Sequence, residues 1–283
     1  MASFTNFATL SYNGGTTNSN IVTGEILEAL TAVKTAVSAN YSAGDRITYA
    51  LSLVNTGTAA ITDYTVTDNL GGYTVGANTV YPLAYNAGTV RYYINGVLQA
   101  APTVTAGPPL TVTGLTVPAG GNAVLIYETT ATPVAPLATG SSITNTATIT
   151  GAGLTNPITA QATVDTANSA DLTISKALSP TTVTENGQIT YTFVISNTGN
   201  AEATATGNVV VTDTFAPILR NIAVTYNGTA WTEGTNYTYN AATGVFTTLA
   251  GQITVPAATF TQNTDGTFTV TPGTATLVIT GTV

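Results

Sequence analysis

The 283-residue sequence has no cysteine and no histidine. Without cysteine, neither disulfides nor thiolate metal sites can hold the fold; without histidine, the commonest general base and metal ligand is missing. No ordinary Ser-His-Asp triad can be built, so neither an enzyme nor a cofactor is expected. Charge is scarce as well: charged residues make up 6% of the chain, against ~25% in ordinary soluble domains. Five basic residues (Lys34, Arg46, Arg91, Lys176 and Arg220) face thirteen acids, for a net charge of −8. That balance offers no electrostatic footprint for nucleic acid or an anionic membrane. The acids are scattered, with no D-x-D-x-D-G loop to bind calcium. No apolar run is long enough to span a bilayer. The opening "MASFTNFATLSYNGG" lacks a basic stretch followed by an apolar one, so it does not read as a secretory signal peptide; either a mature form or another export route is expected.

What is present points to strands. Apolar residues are 43% of the chain, Thr and Val are abundant, and 27 glycines and 12 prolines punctuate them. β-Branched residues fit a pleated, half-buried surface, and Gly and Pro mark turns. The length suffices for two ordinary domains. The expected fold class is all-β.

An internal repeat organises the chain. "VKTAVSANYSAGDRITYALSLVNTGTAAITDYTVTDNL" (33–70) matches "SKALSPTTVTENGQITYTFVISNTGNAEATATGNVVVTDTF" (175–215). Lys34 aligns with Lys176, Ile47 with Ile189, Tyr49 with Tyr191, Asn55 with Asn197 and Gly57 with Gly199; a three-residue insertion then brings Asp68 onto Asp213. In each copy an alternating strand runs into "NTG", read as a hairpin turn with glycine at positive φ, and then into a strand ending "VTD". "VRYYINGVLQ" and "AVTYNGTAW" each hold an "NG" turn, and "AVLIYETTA" and "TATLVITGT" close each core. The reading is two immunoglobulin-like sandwiches.

The pattern "LxIxK…ITYTFxIxNTGN…VxVTDTF…ITNTATIT" resembles the repeat domain of prokaryotic surface proteins known as domain of unknown function eleven. Two such copies in one chain of this size resemble the main subunits of ribbon-like appendages on the endospores of anaerobic spore-formers. The resemblance implies an extracellular location, on a spore or cell surface. It also implies that "ITNTATITGAGLTNPITAQATV" (143–164) is the final strand pair of the first sandwich.

The second sandwich shows no such pair. Its match lies at the start: in "FTNFATLSYNGGTTNSNIVTGEI" (4–26), Phe4 aligns with Ile143, Asn6 with Asn145, Ala8 with Ala147 and Leu10 with Ile149. The expected organisation is therefore a donor arm over 1–27, a first sandwich over 28–166, and a second, strand-accepting sandwich over 167–283, with the segment 165–171 joining the two as 27–30 joins subunits. Phe4, Asn6, Ala8 and Leu10 are the expected donor contacts. Open strand edges are templates for an incoming strand, and donor and acceptor surfaces that differ give an open, head-to-tail polymer. A loosely packed arm beside a shorter second sandwich is the alternative organisation.

Strand parity singles out one candidate chemistry. Side chains alternate between faces, so Lys176 shares the inward face of Leu172, Ile174 and Leu178, and Lys34 that of Leu30, Ala32 and Ala36. Asp68, Asp213, Asn145 and Asn6 fall on core-facing positions by the same count, so both lysines are expected to be buried. Lys, Asn and a nearby acid in an apolar sandwich resemble the spontaneous isopeptide sites of Gram-positive pilin and adhesin domains. Burial lowers the Lys pKa and raises that of Asp. A neutral amine could then attack the Asn amide while the protonated acid stabilises the oxyanion, with loss of ammonia. The resemblance implies Lys34–Asn145 with Asp68 within a molecule, and Lys176–Asn6 with Asp213 between molecules. A hydrogen-bonded buried Lys/Asp pair with a structural Asn fits the same residues. The functional expectation is a structural subunit whose partner is itself, with lateral fibre contacts favoured by a surface of low charge. The alternative is a monomeric adhesin or stalk-type binding module.

Overall fold

A computed structural model of the chain describes residues 2–26, 29–151 and 154–283. The expected boundary between arm and first sandwich, at residues 27 and 28, lies outside the described residues. The fold is nearly all-β; among the described residues the helical structure is a three-residue 3₁₀ turn at Ala205–Gly207. Two compact units emerge: unit 1 runs up to Ala135 and resumes over Ser142–Asp165, and unit 2 comprises Pro136–Ser141 and Thr166–Val283.

Unit 1 is a two-sheet sandwich. One sheet has the order Val97–Leu98, Arg91–Ile94, Asn122–Ala131, Arg46–Asn55, Leu30–Ala36, with Leu83–Tyr85 also on Asn122–Ala131. The other runs Thr103–Thr105, Leu110–Val117, Ile61–Asp68, Ser142–Thr150, Ile158–Thr166, Asn40–Tyr41. Alternation decides what is buried: Ile47, Tyr49, Leu51 and Leu53 face inward from one strand, and Leu125 and Tyr127 from its neighbour. Each large apolar side chain so buried contributes about 1.5–3 kcal/mol.

Unit 2 repeats the first of these sheets. Its order is Leu172–Ser179, Gln188–Asn197, Gly273–Thr282, Arg220–Tyr226, Thr229–Trp231. Phe193, Phe215, Leu219, Phe246, Leu277 and Ile279 form the centre of its core. The opposing layer is smaller: Thr212–Thr214, Val245–Thr248 and Tyr237–Asn240 form a three-stranded sheet. Among the described residues, unit 2 has no strand pair in the place of Ser142–Thr150 and Ile158–Thr166.

The NG turns behave as the sequence suggests. Asn95 and Gly96 (φ 47° and 81°), like Asn227 and Gly228 (φ 47° and 79°), take the doubly left-handed conformation of a tight hairpin turn. The NTG segments do not. Arg46–Asn55 and Ile61–Asp68 lie in different sheets, so Asn55-Thr56-Gly57 is a crossing between layers and not a hairpin. Gly57 and Gly199 are also absent from the positive-φ residues. Glycine is needed there for room: a Cβ on Gly57 would lie 2.9 Å from the Ala29 Cβ, and one on Gly199 would lie 2.2 Å from the Ser169 carbonyl oxygen. The preceding asparagine holds the crossing. Asn55 is buried; its Oδ1 accepts from the Gly57 N–H at 2.9 Å, and its Nδ2 donates to the carbonyls of Ala59 and Pro118 at 2.8 and 3.0 Å. Asn197 repeats the arrangement with Gly199, Ala201 and Pro256.

Asn200 explains why Pro136–Ser141 groups with unit 2. Its Nδ2 donates to the carbonyls of Leu137 and Ala167 at 2.9 and 2.8 Å, and Thr139 donates to its own carbonyl.

Candidate functional site

Five strands of unit 1 converge on one buried polar cluster. Lys34, on the edge strand Leu30–Ala36, points inward opposite Leu51. Asp68 ends the strand Ile61–Asp68 in the facing sheet and pairs with Ala147, two residues from Asn145 on the same face. The Lys34 Nζ donates to Asp68 Oδ2 at 2.6 Å, and both side chains are almost fully shielded from water. The Tyr127 hydroxyl donates to the same oxygen, and the Leu70 N–H donates to Asp68 Oδ1 at 2.9 Å. Tyr49 and Tyr127 are cross-strand partners with stacked rings, and the Lys34 ammonium sits 4.8 Å from the centre of the Tyr49 ring.

Burial pushes the Lys34 amine down from its usual value to about 8, against the opposing attraction of Asp68. At that value about a tenth of the lysine is free amine at pH 7. Burial also raises the Tyr49 and Tyr127 phenols far above their usual value, with the Asp68 charge adding to it. Asn145 is fully buried, and neither its carbonyl oxygen nor its NH₂ completes a hydrogen bond. It nevertheless lies against both phenols closely enough to offset part of that rise. A buried amide left unpaired costs about 1–3 kcal/mol, so Asn145 carries that penalty on a strand paired with the one that ends in Asp68. Tyr49 was legible in the sequence only as an aligned core position, and Tyr127 not at all. Their hydroxyls matter because of depth, which parity does not report.

The second site is built from the repeat and is open. Lys176 Nζ donates to Asp213 Oδ2 and lies 4.5, 5.4 and 5.5 Å from the ring centres of Tyr191, Phe193 and Phe215. The side chain is 41% exposed, however, where that of Lys34 is 0%. The expectation of two buried lysines is thus corrected. Parity does turn Lys176 toward Asp213, but among the described residues the Asp213 strand has no second neighbour, where the Asp68 strand is flanked by Ser142–Thr150 and Ile158–Thr166 beyond it. The same opening leaves Ile174 54% and Leu178 38% exposed. An ion pair this wet contributes at most about 1 kcal/mol. The buried asparagines of unit 2, Asn197 and Asn200, are bonded to loop carbonyls instead. At the position of Tyr127, opposite Tyr191, stands Ile279.

The arm forms a ribbon. Ala2–Asn6 pairs with Val22–Ile26 and Thr9–Tyr12 with Gly15–Asn18, closed by a left-handed Asn13-Gly14 turn. Two arm residues, Phe7 and Ala8, face three on the return strand, Ser19, Asn20 and Ile21, so the ribbon carries a bulge. Phe4 folds across Gly24, where a Cβ would meet its ring at 2.4 Å. Phe4, Asn6, Ala8 and Leu10 are all exposed, as are Tyr12, Ile21 and Val22. Asn6 stands opposite Val22, as Asn145 stands opposite Ala162. The arm therefore carries the apolar and asparagine pattern of the ribbon that closes unit 1.

Among the described residues no group of three or more acids is arranged to hold a metal ion, and no helix is long and apolar enough to cross a membrane.

The sequence matches no family model, that of the resembled repeat included, and it matches no curated protein. Solved structures similar to the chain include the N-terminal domain of a Streptococcus gordonii adhesin, at 16% identity and TM-score 0.35, covering 47% of this chain and 31% of the adhesin domain. The pilus backbone protein of Streptococcus pneumoniae aligns at 12% identity and TM-score 0.35, over 86% of this chain and 55% of its own. The major pilin subunit of Bacillus cereus aligns at 15% identity and TM-score 0.36, over 96% of this chain and 73% of its own.

Proposed function

We propose that the chain is a structural subunit of an extracellular filament, on a cell or spore surface, that assembles head to tail as the arm of one copy covers the open face of unit 2 in the next. One observation carries this reading: a water-exposed ribbon bearing Phe4, Asn6, Ala8 and Leu10 is held by the same chain that leaves Ile174, Leu178 and the Lys176–Asp213 pair uncovered. Unit 1 supplies the template for the finished state: the strand carrying Asn145 pairs with the strand ending in Asp68, the partner of Lys34. Seating the arm would remove apolar surface from water on both partners and satisfy open strand edges. Donor and acceptor are different surfaces, so the contact repeats without closing.

Within unit 1, Lys34 and Asn145 would then join as an isopeptide, and Lys176 would join Asn6 of the neighbouring copy. The first stiffens a subunit and the second makes each junction covalent, which suits a fibre under load. Electron microscopy of the purified chain is expected to show fibres, and boiling in SDS is expected to leave ladders. Asn6→Ala should retain fibres whose ladders collapse to single subunits. Persistent monomers from the unmutated chain would instead favour a stalk or adhesin module.

A further inference from the structure

Asp68 is fully engaged before any reaction begins. Oδ2 accepts from Lys34 and Tyr127, and Oδ1 accepts from the Leu70 N–H. That pattern suits a proton acceptor for Lys34 and leaves the developing oxyanion in need of another donor. One hydroxyl beside Asn145 is free for it: the Tyr49 Oη is buried and makes no hydrogen bond, and the Asn145 amide beside it makes none either. Burial keeps that phenol protonated at any working pH. The repeat identifies the same tyrosine independently. Tyr191 occupies the Tyr49 position in unit 2 and lies under Lys176 at 4.5 Å as Tyr49 lies under Lys34 at 4.8 Å, whereas Tyr127 is replaced by Ile279.

We propose that the Tyr49 hydroxyl donates to the Asn145 side-chain oxygen as Lys34 attacks, and that Tyr191 serves the Lys176 site in the same way; the inference rests on the isopeptide reading above. Lys34 gives one proton to Asp68, and the Nζ lone pair adds to Asn145 Cγ. The carbonyl electron pair moves onto Oδ1, where the Tyr49 hydroxyl stabilises it. As the carbonyl re-forms, the Cγ–Nδ2 bond breaks and Nδ2 leaves with the proton shed by Nζ, as ammonia. The ammonia takes the Asp68 proton and departs as ammonium, so Asp68 ends as the carboxylate it was.

Tyr49→Phe in an Asn6→Ala chain tests this without any contribution from the intermolecular bond. Intact mass, followed from refolding of freshly synthesised chain, reads the loss of ammonia. The variant is expected to react about 100-fold more slowly, the usual effect of removing one oxyanion donor. Equal rates would overturn the proposal, and so would an unmutated chain that keeps its full mass. A merely structural hydroxyl would shift the melting temperature, which in a Lys34→Met background should not move, since no bond is lost. Should Tyr49→Phe fail to fold, Tyr191→Phe gives the second arm: fibres as in the unmutated chain, with SDS-stable ladders about 100-fold slower. Ladders at the unmutated rate would overturn it. Absence of fibres would strike only at the filament reading, because the unit 1 measurement needs no second copy.

Discussion

Deleting residues 1–26 is expected to abolish fibres and leave soluble subunits whose unit 1 melts as before. Among the described residues, the arm contributes none of the buried side chains of the unit 1 core, so its loss removes none of that packing. It does remove Phe4 and Leu10, more than half exposed in the single chain, each able to supply about 1.5–3 kcal/mol on burial. It also removes the backbone groups that would pair with the open layer of unit 2. Association must overcome an entropic cost of roughly 4–15 kcal/mol, so no partial donor is expected to suffice: Phe4→Ser with Leu10→Ser should behave nearly as the deletion does. Electron microscopy and gel filtration read both. Fibres of unchanged length from the deleted chain would remove the arm from assembly altogether.

Asn145→Ala is expected to cost unit 1 about 5 kcal/mol, because it eliminates a covalent tie that closes a loop of about 100 residues in the unfolded chain. Calorimetry reads the loss, and intact mass shows the full, ammonia-retaining subunit. The alternative makes a different prediction. If Asn145 were only structural, the substitution would remove an amide that already lacks partners, and an unsatisfied group can be deleted at little cost. A change of about 1 kcal/mol or less would therefore identify a buried ion pair and nothing more. Lys34→Ala is a poorer probe, since it also strands Asp68 in the core, a separate penalty of about 3–5 kcal/mol.

Much of this site was legible because strands have a period of two. Parity placed Lys34, Asp68 and Asn145 inward from residue types and spacing alone, and all three are buried. The Asn95-Gly96 and Asn227-Gly228 turns were legible for a similar reason: the required φ is set within two residues. What failed was non-local. Whether Asn55-Thr56-Gly57 closes a hairpin or crosses between sheets depends on the partners of the flanking strands, Asn122–Ala131 and Leu110–Val117, which lie far along the chain. Parity gave Lys176 its direction but not its exposure, which depends on whether a ribbon lies over it. The tyrosine hydroxyls were missed because their importance comes from partners lacking at the bottom of a core.

The central claim is that the arm of one copy closes unit 2 of another. Fibres grown from an equal mixture of ordinary and heavy-nitrogen subunits, digested and weighed, test it directly. A peptide linking Asn6 to Lys176 is expected with one light and one heavy half, in the proportion random mixing gives. Linked peptides of uniform label only, or an unlinked Asn6 in intact fibres with Lys176 still free, would contradict it.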